Sequence, residues 1–201
     1  MPRAFSEHEK EILRAQMREK GKRLFEKQGL KKTSVDELTE AVGISKGAFY
    51  LFYESKEELF LEILEQLEQE IQTKILEFTI QPKSDTKKSV NDLLKTFLLT
   101  RDTYPLLKKL GKPEFEYLLR KVPPEWALKH ANKDEEFIDQ FIRKIKQEGI
   151  VVKASPRVVN NLIKTLFFVG LYLEELGQEA YEETLEVMIN MVAGYIVGEQ
   201  K

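Results

Sequence analysis

The stretch Thr33-Ser34-Val35-Asp36-Glu37-Leu38-Thr39-Glu40-Ala41-Val42-Gly43-Ile44-Ser45-Lys46-Gly47-Ala48-Phe49-Tyr50-Leu51-Phe52-Tyr53-Glu54-Ser55-Lys56-Glu57-Glu58-Leu59 holds three helix starts in close succession. In Ser34-Val35-Asp36-Glu37 a serine precedes a glutamate by three residues. That is the capping-box spacing, in which each side chain satisfies a backbone N–H that the first helical turn leaves free. It predicts a short helix to Val42. Gly43 permits the turn, since glycine has no Cβ to obstruct it. Ser45 caps a second short helix through Phe52. Ser55-Lys56-Glu57-Glu58 is another capping box, opening a long helix whose Leu59, Ile63, Leu64, Leu67, Ile71, Ile75 and Phe78 form an apolar stripe until Pro82.

Short helices joined by a tight turn must bury one face of each. Val35, Leu38, Val42, Ile44, Phe49 and Phe52 supply that small core, leaving Ser45, Lys46, Gly47 and Tyr50 facing outward. Gly47 and Ala48 are small enough for close approach to a DNA backbone or groove. A preceding helix from about Ser6 to Lys27, with apolar Ile12, Ala15, Met17, Leu24 and Phe25, ends at Gly29 and completes a three-helix helix-turn-helix head. Phe49, Phe52 and Tyr53 are expected in its core, because aromatic residues between short helices usually pack.

From about Ile12 to Phe60 the sequence strongly resembles the N-terminal signature of the TetR family of transcriptional regulators. The Gly43-Ile44-Ser45-Lys46-Gly47 turn, the aromatic cluster and Ser55-Lys56-Glu57-Glu58-Leu59 occur together, which a chance helical sequence rarely delivers. Thr39 stands where the family usually has Ala, and Leu51 where it often has a polar residue or His. The resemblance implies that Ser45, Lys46 and Tyr50 meet DNA, that the hydroxyls of Thr33 and Tyr50 reach phosphates, and that Lys56 meets the DNA backbone. Phosphate contacts position such a protein and base-edge contacts specify the sequence. Thr33, Ser45, Lys46, Gly47, Ala48, Tyr50 and Lys56 are therefore the expected DNA-binding residues.

Around this head the chain of 201 residues is 42% hydrophobic and 33% charged, enough for a folded core in one or two domains. It has no cysteine, and its two histidines, His8 and His130, lie far apart, which excludes thiolate chemistry and argues against a metal centre or cofactor. Its longest apolar run, Leu166 to Leu173, is too short to span a membrane and contains Gly170; the chain reads as cytoplasmic with no membrane partner. Residues 1–56 carry 12 Lys and Arg against 9 Asp and Glu, while the whole chain has a net charge of −2. Paired carboxylates such as Glu116 with Glu125 come without nucleophile, phosphate loop or metal spacing, so an enzyme is not expected.

Helix-forming residues dominate and no alternating strand pattern appears, so the expected fold is all-α. Residues 1–54 read as the DNA-binding head and 55–201 as a helical effector-binding and dimerisation domain. Further helices are predicted at about Thr86–Thr103, with a break at Pro105, then Pro113–Lys121, Pro124–His130, Asp134–Glu148, Pro156–Leu176 and Gln178–Glu199. The last two are apolar on more than one side, and two copies of the pair would form a four-helix homodimer interface, as the resemblance also implies. Between head and dimer helices, Phe97, Arg101, Tyr104, Tyr117, Trp126, Phe137 and Phe141, with Phe168 and Tyr172, are either packed core or the lining of an effector cavity. The expected function is a dimeric regulator, a repressor released from a palindromic double-stranded DNA operator by a small, largely apolar effector. The helix starting at Ser55 is expected to be the sole covalent route for the signal. The alternative is a helical interaction or adaptor protein that has lost DNA binding.

Overall fold

The computed structural model describes residues 5–77, 86–147, 149–171 and 178–197, and the regular elements among them are helices. In chain order they are α1 (Glu7–Gln28), α2 (Val35–Val42), α3 (Lys46–Phe49), α4 (Lys56–Glu77), α5 (Thr86–Thr103), α6 (Pro105–Lys109), α7 (Lys112–Leu119), α8 (Pro124–Gln147), α9 (Pro156–Leu171) and α10 (Gln178–Val197). The fold is all-α, with a helix-turn-helix motif in the first unit and further helices in the second.

The chain packs as two units. Met1–Gln69 and Tyr104–Val122 form the first, and Glu70–Thr103 with Pro123–Lys201 the second. Packing thus groups α6, α7 and most of α4 with the motif, where the division at residues 54 and 55 separates the motif from all that follows it. The chain passes between units three times, at 69/70, 103/104 and 122/123. The expectation that α4 is the only covalent route is corrected: the segment from Tyr104 to Val122 leaves one unit, packs in the other and returns.

In the first unit α1 starts with a capping box of its own. Ser6 Oγ accepts the Glu9 N–H at 3.2 Å, and Glu9 Oε2 accepts the Ser6 N–H at 2.7 Å. Met17, Phe25, Leu30, Leu38, Phe49, Leu59 and Leu106 are sealed in its interior. Phe25 and Phe60 meet edge to face, 5.0 Å between ring centres. Gly21 of α1 sits tightly against α2 and α4: a Cβ there would lie 3.1 Å from Leu59 Cδ2 and 3.4 Å from Leu38 Cδ2 and Ile63 Cδ1.

The second unit buries Val90, Leu93 and Leu94 of α5, Ile138, Phe141, Ile142 and Ile145 of α8, Val159 and Leu166 of α9, and Ile189, Val192, Ala193, Ile196 and Val197 of α10. Lys153 N donates to Ile196 O at 3.0 Å and ties the segment after α8 to α10. The helices differ from the expected layout in three places. The break before Pro105 is present, since α5 ends at Thr103, but an unexpected short helix, α6, then begins at Pro105; proline suits a first helical turn. Helix α8 runs through residues 130–134 without interruption. Asp134 resembles a helix start in sequence, but its carboxylate is engaged by Lys164 of α9 at 2.7 Å, a tertiary tie that outweighs its weak helix propensity. The shortened α3 is treated below. Phe78 and Pro82, and the expected helix ends at Leu176 and Glu199, lie outside the described residues.

Candidate nucleic-acid interface

The α2–α3 motif is fixed at each end by short-range chemistry. Ser34 Oγ accepts the Glu37 N–H at 3.2 Å while Glu37 Oε2 accepts the Ser34 N–H at 2.8 Å. Gln28 Nε2 reaches Glu37 Oε1 at 3.0 Å. These donors, the Gln28 amide first and Ser34 next, hold the Glu37 carboxyl down to about 2. Gly43 closes α2 with φ +82° and ψ +33°, the left-handed stop, and a Cβ there would touch nothing, so backbone conformation alone calls for glycine. Thr39 is buried, and its hydroxyl donates to Asp36 O at 2.9 Å, which satisfies a polar group where alanine is usual.

Ser45 Oγ accepts the Ala48 N–H at 3.1 Å and starts α3, which lasts only to Phe49 instead of Phe52. The chain then tightens: Leu51 N bonds Ala48 O at 3.2 Å, and the N–H groups of Phe52 and Tyr53 converge on Phe49 O at 2.9 and 3.1 Å. Phe49 and Tyr53 are both buried across this turn, with ring centres 5.7 Å apart. Both are core, as expected. Ser45, Lys46, Gly47 and Tyr50 are exposed. Tyr50 stands edge-on to Phe49 at 5.5 Å. Lys46 Nζ pairs with Asp36 Oδ1 at 3.0 Å, and the carboxylate raises the Lys46 ammonium above its ordinary value, keeping it charged. Nothing crowds Gly47: a Cβ would meet only Ser45 Oγ, at 3.9 Å.

Three residues expected at DNA are placed elsewhere. Thr33 is buried, its hydroxyl donating to Gly29 O at 2.7 Å, so it has no hydroxyl to offer a phosphate; the cap of α2 is Ser34. Ala48 turns inward and is buried. Lys56 points its ammonium into the loop before α2, donating to Leu30 O at 2.8 Å, Lys31 O at 3.1 Å and Thr33 O at 2.7 Å. All three of its donors are used inside the unit. Sequence alone could not show this, because the carbonyls lie 23 to 26 residues upstream.

Helix α7 fastens to the same loop. Glu114 Oε2 accepts the Lys31 N–H at 3.2 Å, and Gly29, at φ +83°, leaves space for that carboxylate: a Cβ would sit 2.7 Å from Glu114 Oε1. Tyr117 donates its hydroxyl to Oε1 of the buried Glu57 at 2.5 Å, and this bond, ahead of burial, pushes the phenol up to about 12. Tyr117 is thus a structural partner of α4.

The aromatic set expected to line an effector cavity divides between the units. Tyr104 and Tyr117 belong to the first, and Phe97, Trp126, Phe137, Phe141 and Phe168 to the second. Phe141 is buried in the second unit's core with Phe137 packed against it, their rings stacked at 6.4 Å. Trp126 stacks on His130, 4.7 Å between centres. Phe168 is exposed. Tyr172 and the side chain of Arg101 lie outside the described residues.

Residues 18–63, which span α1 to α4 across this motif, match the N-terminal domain of the bacterial regulatory proteins, tetR family. The chain is 29% identical over 152 residues to the helix-turn-helix-type transcriptional regulator YfiR of Bacillus subtilis, covering 74% of this chain and 70% of that one. The chain thus carries the tetR-family N-terminal domain over residues 18–63. Its fold is that of a TetR-family regulator from Pectobacterium atrosepticum, with a TM-score of 0.69 at 19% identity over 98% of this chain and 100% of the other. It is also similar to SmeT, the repressor of the Stenotrophomonas maltophilia multidrug efflux pump SmeDEF, with a TM-score of 0.60 at 16% identity over 92% and 91%. Residues 18–63 are therefore a helix-turn-helix DNA-binding domain of the type found in those transcriptional regulators. No helix among the described residues is long and apolar enough to cross a membrane.

The sequence reading left two residues of this surface off its list. Asp36, the partner of Lys46, sits in the first turn of α2 and passes for an ordinary helix-start acid. Leu51 follows Tyr50 directly in the exposed turn.

Proposed function

We propose that the protein is a homodimeric repressor that binds a palindromic operator and is released from it by a small, largely apolar effector, acting in the cytoplasm. The observation that carries this reading is the outward set Ser45, Lys46, Gly47 and Tyr50 at the end of a rigidly capped motif, with hydrogen-bond donors and no bulk at Gly47. Ser45 and Tyr50 contribute hydroxyls to phosphates, and Lys46 exchanges Asp36 for a phosphate or a guanine edge.

Dimerisation is supported by what α9 and α10 leave uncovered. The inner face of α10 fills its own unit's core, while Val187, Met191 and Tyr195, each four residues from the next, stay exposed on one stripe. Val158 and Phe168 of α9 are exposed as well. A second copy covering these residues would set two heads on a two-fold axis, which matches two half-sites. The likeness to SmeT, a repressor, supports the sign of regulation. Within the second unit, the effector-contacting aromatic residues are proposed to be the half-buried Phe97 and Trp126.

Purified protein is used to select duplexes from a random DNA pool at two salt concentrations. A palindromic consensus whose binding weakens with salt is the expected result, since phosphate contacts release counterions. No enrichment at either salt overturns the reading in favour of an adaptor with a degenerate head.

A further inference from the structure

Among the described residues, Leu51 is the most exposed of the large apolar side chains, with 73% of its surface open to solvent. Its neighbour Tyr50 is 51% exposed, and the only other large apolar side chain exposed among residues 5–69 is Ile12. Two of three such residues are therefore adjacent in one turn, the one that follows α3. That turn is not loose. Leu51 N bonds Ala48 O, and the fully buried Phe49 and nearly buried Tyr53 on either side fix the backbone from which Leu51 projects. A rigid backbone presenting an unpacked leucine beside Lys46 and Tyr50 has a cost in water and no compensating contact in the folded chain.

The chemistry of a DNA groove supplies the missing contact. A leucine offers nothing to a phosphate and no hydrogen bond to a base edge. In the major groove only thymine presents a methyl group, at C5, and an apolar side chain is its natural complement. We propose that Leu51 is a specificity-determining residue that packs on the C5 methyl of a thymine in each half-site, with Tyr50 and Lys46 holding the adjacent backbone. The inference rests on the reading of α2–α3 as the DNA-contacting head. It gives the motif a second mode of recognition: polar side chains meet phosphates or hydrogen-bonding base edges, and one apolar side chain reads a methyl group. Folding makes no demand on Leu51, so its exchange leaves the fold intact.

Thymine and deoxyuridine differ only by the methyl, which makes the test direct. On the selected operator each thymine is replaced in turn by deoxyuridine, symmetrically in both half-sites, and binding is followed by fluorescence anisotropy for the wild type and for Leu51→Ala. One position per half-site is expected at which the wild type loses about fourfold in affinity per methyl, about 15-fold for the pair. Leu51→Ala is expected to bind the unmodified operator more weakly, to show no penalty for deoxyuridine there, and to melt at the wild-type temperature. If the wild type binds its operator but tolerates deoxyuridine at every position, or if the penalty persists in Leu51→Ala, the proposal falls while the head remains a DNA reader. If no operator is selected at all, both fall together.

Discussion

The two packing units solve the same problem, ending and joining helices, by different means. In the first, α1 to α4 are started by side chains a few residues away: Ser6 with Glu9, Ser34 with Glu37, Ser45 with the Ala48 N–H, Ser55 with the Glu58 N–H. Its interior is closed over Phe25, Phe49 and Leu59, and even its lysine at position 56 is turned inward. The second relies on apolar packing across α5, α8, α9 and α10, and it leaves a stripe of that apolar surface in water. A unit whose helix starts are closed by its own side chains offers a partner chiefly its outward side chains. A unit with Met191 69% exposed beside Val187 and Tyr195 presents an apolar stripe that a partner surface can cover.

That contrast is broken most severely on α10. Replacing Val187 and Met191 together by Glu places charge on the stripe without touching the buried Ile189 and Val192. The variant is expected to sediment as a folded monomer and to lose two or more orders of magnitude in operator affinity, because tethered half-site binding is forfeited. Sedimentation and anisotropy on one preparation check it. A dimer that persists with unchanged affinity would place the interface elsewhere.

The next effect separates two lysines of one head. Lys56→Ala removes the donor shared by three loop carbonyls and is expected to cost about 2 kcal/mol of stability, with the salt dependence of DNA binding unchanged. Lys46→Ala is expected to do the reverse: stability near wild type, and a salt slope reduced by about one per contacted phosphate. Denaturant melts and salt titrations of both variants are the check. If Lys56→Ala alters the slope and spares stability, its ammonium leaves the loop when DNA is bound.

Helix α7 carries a smaller stake. Tyr117→Phe takes the hydroxyl from the buried Glu57 carboxylate and is expected to destabilise the first unit by about 1 to 2 kcal/mol. Amide exchange in α7 and at the start of α4 should rise with it. An unchanged melt would mean that α7 is held by its apolar contacts, Leu118 foremost.

What the sequence made legible follows from the same contrast. The starts of α2, α3 and α4 could be read because each depends on residues within four positions, and so could the outward placement of Ser45, Lys46, Gly47 and Tyr50. The destinations of Thr33 and Lys56 could not, since their partners are carbonyls in a folded loop that carry no side-chain signature. Nor could the grouping of α7 with the head, which rests on Glu114 reaching 83 residues back and Tyr117 reaching 60. In the second unit the periodic apolar residues announced helices and a buried face. They could not say that Phe137 and Phe141 close the core while Phe168 faces water, because aromatic residues fill cores and bind ligands with the same chemistry.

The smallest expected effect tests whether the head's polar closure acts as argued. Glu37 accepts from Gln28 and Ser34, and its carboxyl is held at about 2 against an ordinary 4.5. A carboxyl depressed in the folded state contributes stability that is present above its unfolded value and lost as pH falls toward the folded one. The window is therefore pH 4.5 down to about 2. Glu37→Gln removes the charge but keeps the length of the side chain, so the variant should melt below wild type at pH 7 and approach it as pH is lowered through that window. The group is solvent-exposed, which keeps the gap small, and convergence rather than its size carries the argument. A gap that stays constant from pH 7 to 3 would mean that the hydrogen-bond geometry alone, and not the ionised carboxylate, fixes the start of α2 and with it the surface that Lys46 and Tyr50 present.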